Sequence, residues 1–108
     1  MKTLLLALFG VAAAIFLFTR FIAPPNQLDL IDRLWLGGSK AEKLATDVLF
    51  DEESGQMLNV WGQKESSGQA RPVMVFFYGG GWAHGDKDHY GFAARAYADR
   101  GFIVVVPD

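Results

Sequence analysis

The run Val73-Met74-Val75-Phe76-Phe77-Tyr78-Gly79-Gly80-Gly81-Trp82 decides the fold. From Val73 to Phe77 it is apolar without alternation, the pattern of a strand buried on both faces. Three glycines then end regular structure. Downstream, Asp88 is placed to cap a helix that runs to about Arg100 and stops at Gly101, with Phe92, Ala93, Ala96 and Tyr97 as its apolar stripe. Phe102-Ile103-Val104-Val105-Val106 is a second buried strand, followed by Pro107-Asp108. Strand, loop, helix and strand in that order predict an α/β fold, its two strands parallel and joined by a right-handed crossover.

Working upstream, Thr46 to Phe50 and Met57 to Trp61 read as two paired strands. Asp51-Glu52-Glu53-Ser54-Gly55 between them is polar and ends on a turn glycine, a hairpin pattern. Gln63 to Ala70 is a polar loop, and Ser39 to Ala45 is expected to form a helical turn. Pro24-Pro25-Asn26 starts a short helix, with Asn26 as its cap and Asp29 near its positive end. Leu28, Ile31 and Trp35, with Leu30 and Leu34, form a stripe at helical spacing that Gly37-Gly38 terminates. Such a stripe ordinarily packs on a core. Beside a membrane segment it can instead lie at the interface, with Trp35 as the amphipathic ring.

The membrane signal is N-terminal. Leu4 to Phe18 carries no charge and no hydroxyl, and Phe21-Ile22-Ala23 extends it past Thr19-Arg20 to Pro24. As a helix, Leu4 to Ala23 would rise about 30 Å, one hydrocarbon core. Arg20 lies near its end, where a long stem snorkels to the interface. A cleaved signal peptide is the competing reading. It fits less well: a cut after Ala14 would leave Ile15-Phe16-Leu17-Phe18 exposed, and Ala23 stands between Phe21 and Pro24. The expected organisation is an anchor over 1–23, a linker with a short amphipathic helix over 24–45, and the N-terminal portion of an α/β domain over 46–108.

Composition excludes several classes. The formal net charge is -2, from 10 basic and 12 acidic residues that are well mixed, so no basic stripe invites nucleic acid. With no cysteine there is no disulfide, thiolate metal site or thiol nucleophile.

The glycine loop has the physics of an anion site. Glycines let the backbone come close to a ligand with unshielded N–H groups, and the helix that follows favours negative charge. A phosphate is a poor fit. Gly80 and Gly85 have P-loop spacing, but Asp86-Lys87-Asp88 follows where Lys-Ser/Thr is required. The dinucleotide pattern fails from Gly79, because position 84 is His84. The oxyanion of an acyl-transfer intermediate is the remaining candidate.

The stretch from Val73 to Trp82, with Gly85-Asp86-Lys87 and Gly101 to Asp108, resembles the start of the esterase/lipase branch of the α/β-hydrolases. It is similar to hormone-sensitive-lipase-like and feruloyl-esterase-like carboxylesterases, and Leu58-Asn59-Val60-Trp61 resembles that family's second strand. The resemblance covers about Thr46 to Asp108. It implies that Gly80 and Gly81 offer the oxyanion-hole N–H groups, that Gly79 shapes the turn, and that Trp82 packs beside the loop or the acyl pocket. Tyr78 stands where the family has histidine; its hydroxyl would brace the loop as that histidine does, or would itself donate directly to the oxyanion. The implied substrate is a small-molecule ester, with peptide or amide bonds as runner-up and no cofactor.

His84, Asp86, Asp88 and His89 have metal-ligand chemistry, but acids at a helix start cap it and favour its dipole, so no metal is expected. None of Ser39, Ser54, Ser66 and Ser67 sits in a G-x-S-x-G elbow. The resemblance implies that nucleophile, acid and histidine all follow Asp108, so the 108 residues alone are expected to be inactive and poorly stable. The alternative is a non-catalytic, membrane-anchored fragment.

Overall fold

The computed structural model describes residues 1–22, 24–35, 38–65, 68–80 and 85–108. Helix α1 spans Lys2–Phe21 and helix α2 spans Pro24–Trp35. Strands β1 (Ala41–Asp51) and β2 (Gln56–Gln63) follow, then strand β3 (Val73–Val75), a 3-10 turn at Lys87–Tyr90, helix α3 (Gly91–Ala98) and strand β4 (Ile103–Pro107). The strands form one mixed sheet in the order β1-β2-β4-β3. β1 and β2 are an antiparallel hairpin, β2 and β4 are antiparallel, and β3 and β4 are parallel, as expected of the strand–loop–helix–strand unit.

α1 is a continuous helix, and the hydroxyl near its C-terminal end is satisfied internally: Thr19 Oγ1 donates to the Ile15 and Phe16 carbonyls, both at 3.1 Å. It is long and apolar enough to cross a membrane, and none of its residues is buried. A signal sequence passes the same test.

Three local expectations need correction. Residues 41–45 are strand, not a helical turn. Ala41, Glu42 and Lys43 pair with Gln63, Gly62 and Trp61, and the Asp99 carboxylate accepts the N–H groups of Lys40 (2.9 Å) and Ala41 (3.1 Å). Cross-strand pairing outweighs the helix preference of Ala, Glu, Lys and Leu. α2 begins at Pro24, a residue suited to a first helical position because it has no N–H to leave unpaired, so Asn26 lies inside the helix. The cap of the 3-10 turn is Asp86, whose carboxylate accepts the Asp88 N–H at 2.8 Å. Asp88 instead takes Lys43 Nζ at 2.9 Å and Asn59 Nδ2 at 2.7 Å.

The core is small: Trp61, Ala94, Ala98, Val104 and Val106. It lies between one face of the sheet and α3, whose buried positions are Gly91, Ala94, Arg95 and Ala98 rather than the expected Phe92, Ala93, Ala96 and Tyr97. Small residues win because the helix sits close to the sheet. A Cβ on Gly91 would stand 2.6 Å from Asp29 Oδ1 and 3.2 Å from the Trp61 ring. The double burial expected of the apolar strands is also corrected. Val104 and Val106 face α3, while Val73 and Phe77 on the other side are 64% and 77% exposed. Among the described residues nothing covers that second face.

The polar side of β1 and β2 makes a pH prediction. Asp88 is held below the usual carboxylate range first by its hydrogen bond from Lys43, against burial, and then by Asn59 and the charges of Lys43 and Lys87. A depressed folded pKa stabilises above the unfolded value, near 3.8, and that contribution is lost as pH falls through the folded value. Thermal unfolding in detergent should therefore shift to lower temperature on going below pH 4, and Asp88→Asn should flatten that dependence. An unchanged acid limb in the variant would assign it to other carboxylates.

Candidate functional site

The glycine stretch leaves the C-terminal end of β3, beside the C-terminal end of its parallel neighbour β4. The Phe76 N–H donates to the Val105 carbonyl at 2.8 Å, so the chain stays attached to β4 for one residue past β3. Tyr78, Gly79 and Gly80 are described; Gly81, Trp82 and His84 lie outside the described residues. Gly79 and Gly80 are exposed, and a Cβ on Gly79 would meet nothing within 4 Å. The backbone here is open to a ligand.

Tyr78 closes the base of this loop. Its ring stacks on Tyr90 with centroids 4.8 Å apart and planes 12° from parallel. It also stands against Gly85, where an added Cβ would lie 2.5 Å from the Tyr78 ring. Gly85 also has φ 134°, a conformation that disfavours any side chain. Tyr78 and Gly85, which flank positions 79–84 in sequence, thus meet in one pinched neck, which explains why this neck combines a flat ring with a glycine. The phenol pKa is raised, first by burial and then by the nearby carboxylates of Asp108 and Asp86, against the pull of Lys87. At neutral pH the Tyr78 hydroxyl is therefore a protonated donor.

Sequence reasoning passed over the group that fixes the far side of the neck. Lys87 is buried, and its ammonium meets Asp47 Oδ1 at 3.0 Å, Asp108 Oδ1 at 3.4 Å and Asp88 Oδ2 at 3.9 Å. Burial opposes its charge, but these carboxylates outweigh burial and raise its pKa. Fully buried Asn59 completes the knot. Its Oδ1 accepts the Asp47 N–H at 3.0 Å, which holds Asp47 at φ 52°. Lys87 so ties the residue after the loop to β1 and to the end of β4. The available signal was Asn59, a polar residue at a core-facing position of an otherwise apolar strand.

The remaining candidates do other things. Asp86 caps and Asp88 pairs with Lys43, and among the described residues no three His, Asp or Glu side chains stand close enough to share a metal. Ser39 Oγ donates to Asp99 at 3.0 Å and Ser54 Oγ to Asp51, so both hydroxyls are engaged by carboxylates; Ser66 and Ser67 lie outside the described residues. A shallow cleft lined by Ile22, Asn26, Asp29, Leu30, Arg33, Asp88 and His89 runs between α2 and the 3-10 turn.

The class defined so far is an α/β chain with an apolar N-terminal helix and a glycine loop on the C-terminal end of a parallel strand. Comparison with known proteins narrows it. The chain is similar to the esterase LipC of Mycobacterium tuberculosis (strain ATCC 25618 / H37Rv), 37% identical over 62 residues, which cover 56% of this chain and 15% of that protein. It is also similar to the kynurenine formamidase of Danio rerio, 36% identical over 59 residues, covering 55% of this chain and 20% of that protein. Both relatives are hydrolases by name, and the chain matches at most a fifth of either one's length. No family model matches the chain, and no solved structure matches it.

Proposed function

We propose that this chain carries the oxyanion-stabilising part of an α/β-hydrolase that cleaves small carboxylic esters, and that α1 holds it at a membrane. The observation that carries the reading is the glycine loop itself. It opens at the C-terminal end of a parallel strand, is pinched between Tyr78 and Gly85, and exposes Gly79 and Gly80. Similarity to an esterase and a formamidase supports the same chemistry.

In this reading a serine attacks the substrate carbonyl, and the oxygen becomes an anion that accepts hydrogen bonds from the Gly80 and Gly81 N–H groups. Those donors are fixed before substrate arrives, so they gain most where charge develops, in the transition state. The serine, its base and its acid are not among these 108 residues. Tyr78 braces the loop through its ring, and Trp82 flanks it. Amide hydrolysis is the second reading, favoured by the formamidase similarity; the same two donors would serve an amide carbonyl.

The test uses the complete protein that contains this chain. Hydrolysis of p-nitrophenyl butyrate that a fluorophosphonate abolishes supports the reading, and its absence overturns it. Faster turnover of an N-formyl arylamine would favour the second reading. Within the active protein, Tyr78→Phe keeps the ring and should retain most activity. Tyr78→Ala loses the stack on Tyr90 and should destabilise by about 1–2 kcal/mol while lowering kcat. Equal kinetics for the two variants would remove the bracing role.

A further inference from the structure

α2 is amphipathic in reverse. At 100° per residue, Asp29 and Asp32 project from one side of the helix, and Leu28, Leu30, Ile31 and Leu34 spread over the other. A surface helix normally buries its aliphatic side. Here the acidic side is the docked one. Asp29 is 4% exposed and its Oδ1 lies 2.7 Å from Arg95 Nη2, while Asp32 Oδ2 takes Arg95 Nε at 2.7 Å. Arg95 in turn lies over the Trp61 ring, 5.6 Å from its centroid. The expected packing of the stripe on the core is thus overturned: Leu28 is 51% exposed and Leu34 is 71% exposed. Leu28, Ile31 and Leu34 on one outward helix face form a patch of the kind that marks an interaction surface, while Leu30 lines the cleft toward the 3-10 turn.

What lies beside that patch identifies its occupant. α2 starts at Pro24, directly after the apolar helix that ends at Phe21. α1 has no buried residue, so its apolar surface also faces outward along its whole length. Arg20 is exposed at the end of α1 beside this junction, and Arg33 is exposed in the last turn of α2, where it also pairs with Asp29 at 2.9 Å; anionic headgroups would meet both at the interface. An apolar face, flanking arginines and an adjoining span are the features of a helix lying in the plane of a bilayer interface.

We propose that α2 lies in the headgroup–acyl boundary of the membrane with Leu28, Ile31 and Leu34 toward the lipid, and that the Arg95 ion pairs hang the sheet from its inner side. The inference rests on reading α1 as inserted in the membrane. It also sets the site's location, because the 3-10 turn that follows the glycine loop packs against α2. The glycine loop would then work close to the membrane surface, within reach of ester substrates that partition into lipid.

The chain has no cysteine, so single labels can be placed freely. The full chain, reconstituted in phosphatidylcholine vesicles with a minority of phosphatidylglycerol, carries a nitroxide at Leu28→Cys, Ile31→Cys or Leu34→Cys. Phe9→Cys in α1 and Ser54→Cys at the hairpin tip are the references. Accessibility to oxygen and to a water-soluble nickel chelate is measured. The oxygen-to-chelate ratio at the three α2 positions should be several-fold above that of Ser54→Cys and below that of Phe9→Cys. Ratios equal to Ser54→Cys, with Phe9→Cys still buried in lipid, overturn the α2 placement and leave the anchor standing. A chelate-accessible Phe9→Cys overturns the anchor, and the α2 placement with it. Shielding of α2 from both reagents means that protein covers the face, and also overturns the inference.

Discussion

Arg95→Ala is expected to release α2 from α3 and to unfold most of the chain at ambient temperature. The guanidinium is the counter-ion of two carboxylates, Asp29 at 2.7 Å and Asp32 at 2.6 Å. Arg33 also reaches Asp29, at 2.9 Å, but its side chain is 57% exposed and that pair is weakened by solvent. Removing Arg95 strands Asp29 in a buried position. Breaking a buried pair from one side costs about 3–5 kcal/mol, a large share of the stability a small domain has. The core offers little reserve, since it consists of Trp61, two alanines and two valines. The measurement is thermal unfolding in detergent, with hydrogen exchange on α2. The triple variant Asp29→Asn, Asp32→Asn, Arg95→Met removes charge from both sides and should recover a good part of the loss. Wild-type stability in Arg95→Ala would show that these ion pairs do not hold α2.

Gly80→Pro, in the complete protein, is expected to lower kcat by about 10²- to 10³-fold, with KM changed only a few-fold. Proline removes the N–H that the proposed mechanism assigns to the oxyanion, and it leaves substrate contacts elsewhere in place. Gly80 is exposed, so the fold has little to lose at that position. Gly80→Ala is the control: it keeps the donor and adds one methyl group, and it should retain substantially more activity than the proline variant. Equal losses in the two variants would mean that loop shape, not the donor, governs the rate.

Much of the sheet was legible because its signals are local. The apolar run to Phe77, the three glycines and the return at Ile103 predicted a parallel pair around a helix, and Ser54-Gly55 predicted the hairpin; both pairings are present. The limits of β1 were not legible. Ala41-Glu42-Lys43-Leu44-Ala45 prefers helix locally, and it is held extended by β2 and by Asp99, partners that lie later in the sequence. The facing of α2 was equally hidden. Periodicity reveals that a helix has two sides, but which side docks depends on Arg95, a charged residue within another helix. At the candidate site the glycines were legible as a loop. The Tyr78–Gly85 neck and the Lys87 knot were not, because the motif names these residues but not the contacts they make through space with one another, with Asp47 and with Asp108.

That neck also bears on how the sequence can change over time. A ring at position 78 lies where any side chain at position 85 would have to stand, at 2.5 Å from an added Cβ. The two positions are therefore not free to vary separately. Loss of the ring would relax the space restriction at 85 but not the φ of 134° there, so glycine should outlast the tyrosine. Among related sequences, an aromatic or imidazole ring at 78 should be accompanied by glycine at 85 almost without exception.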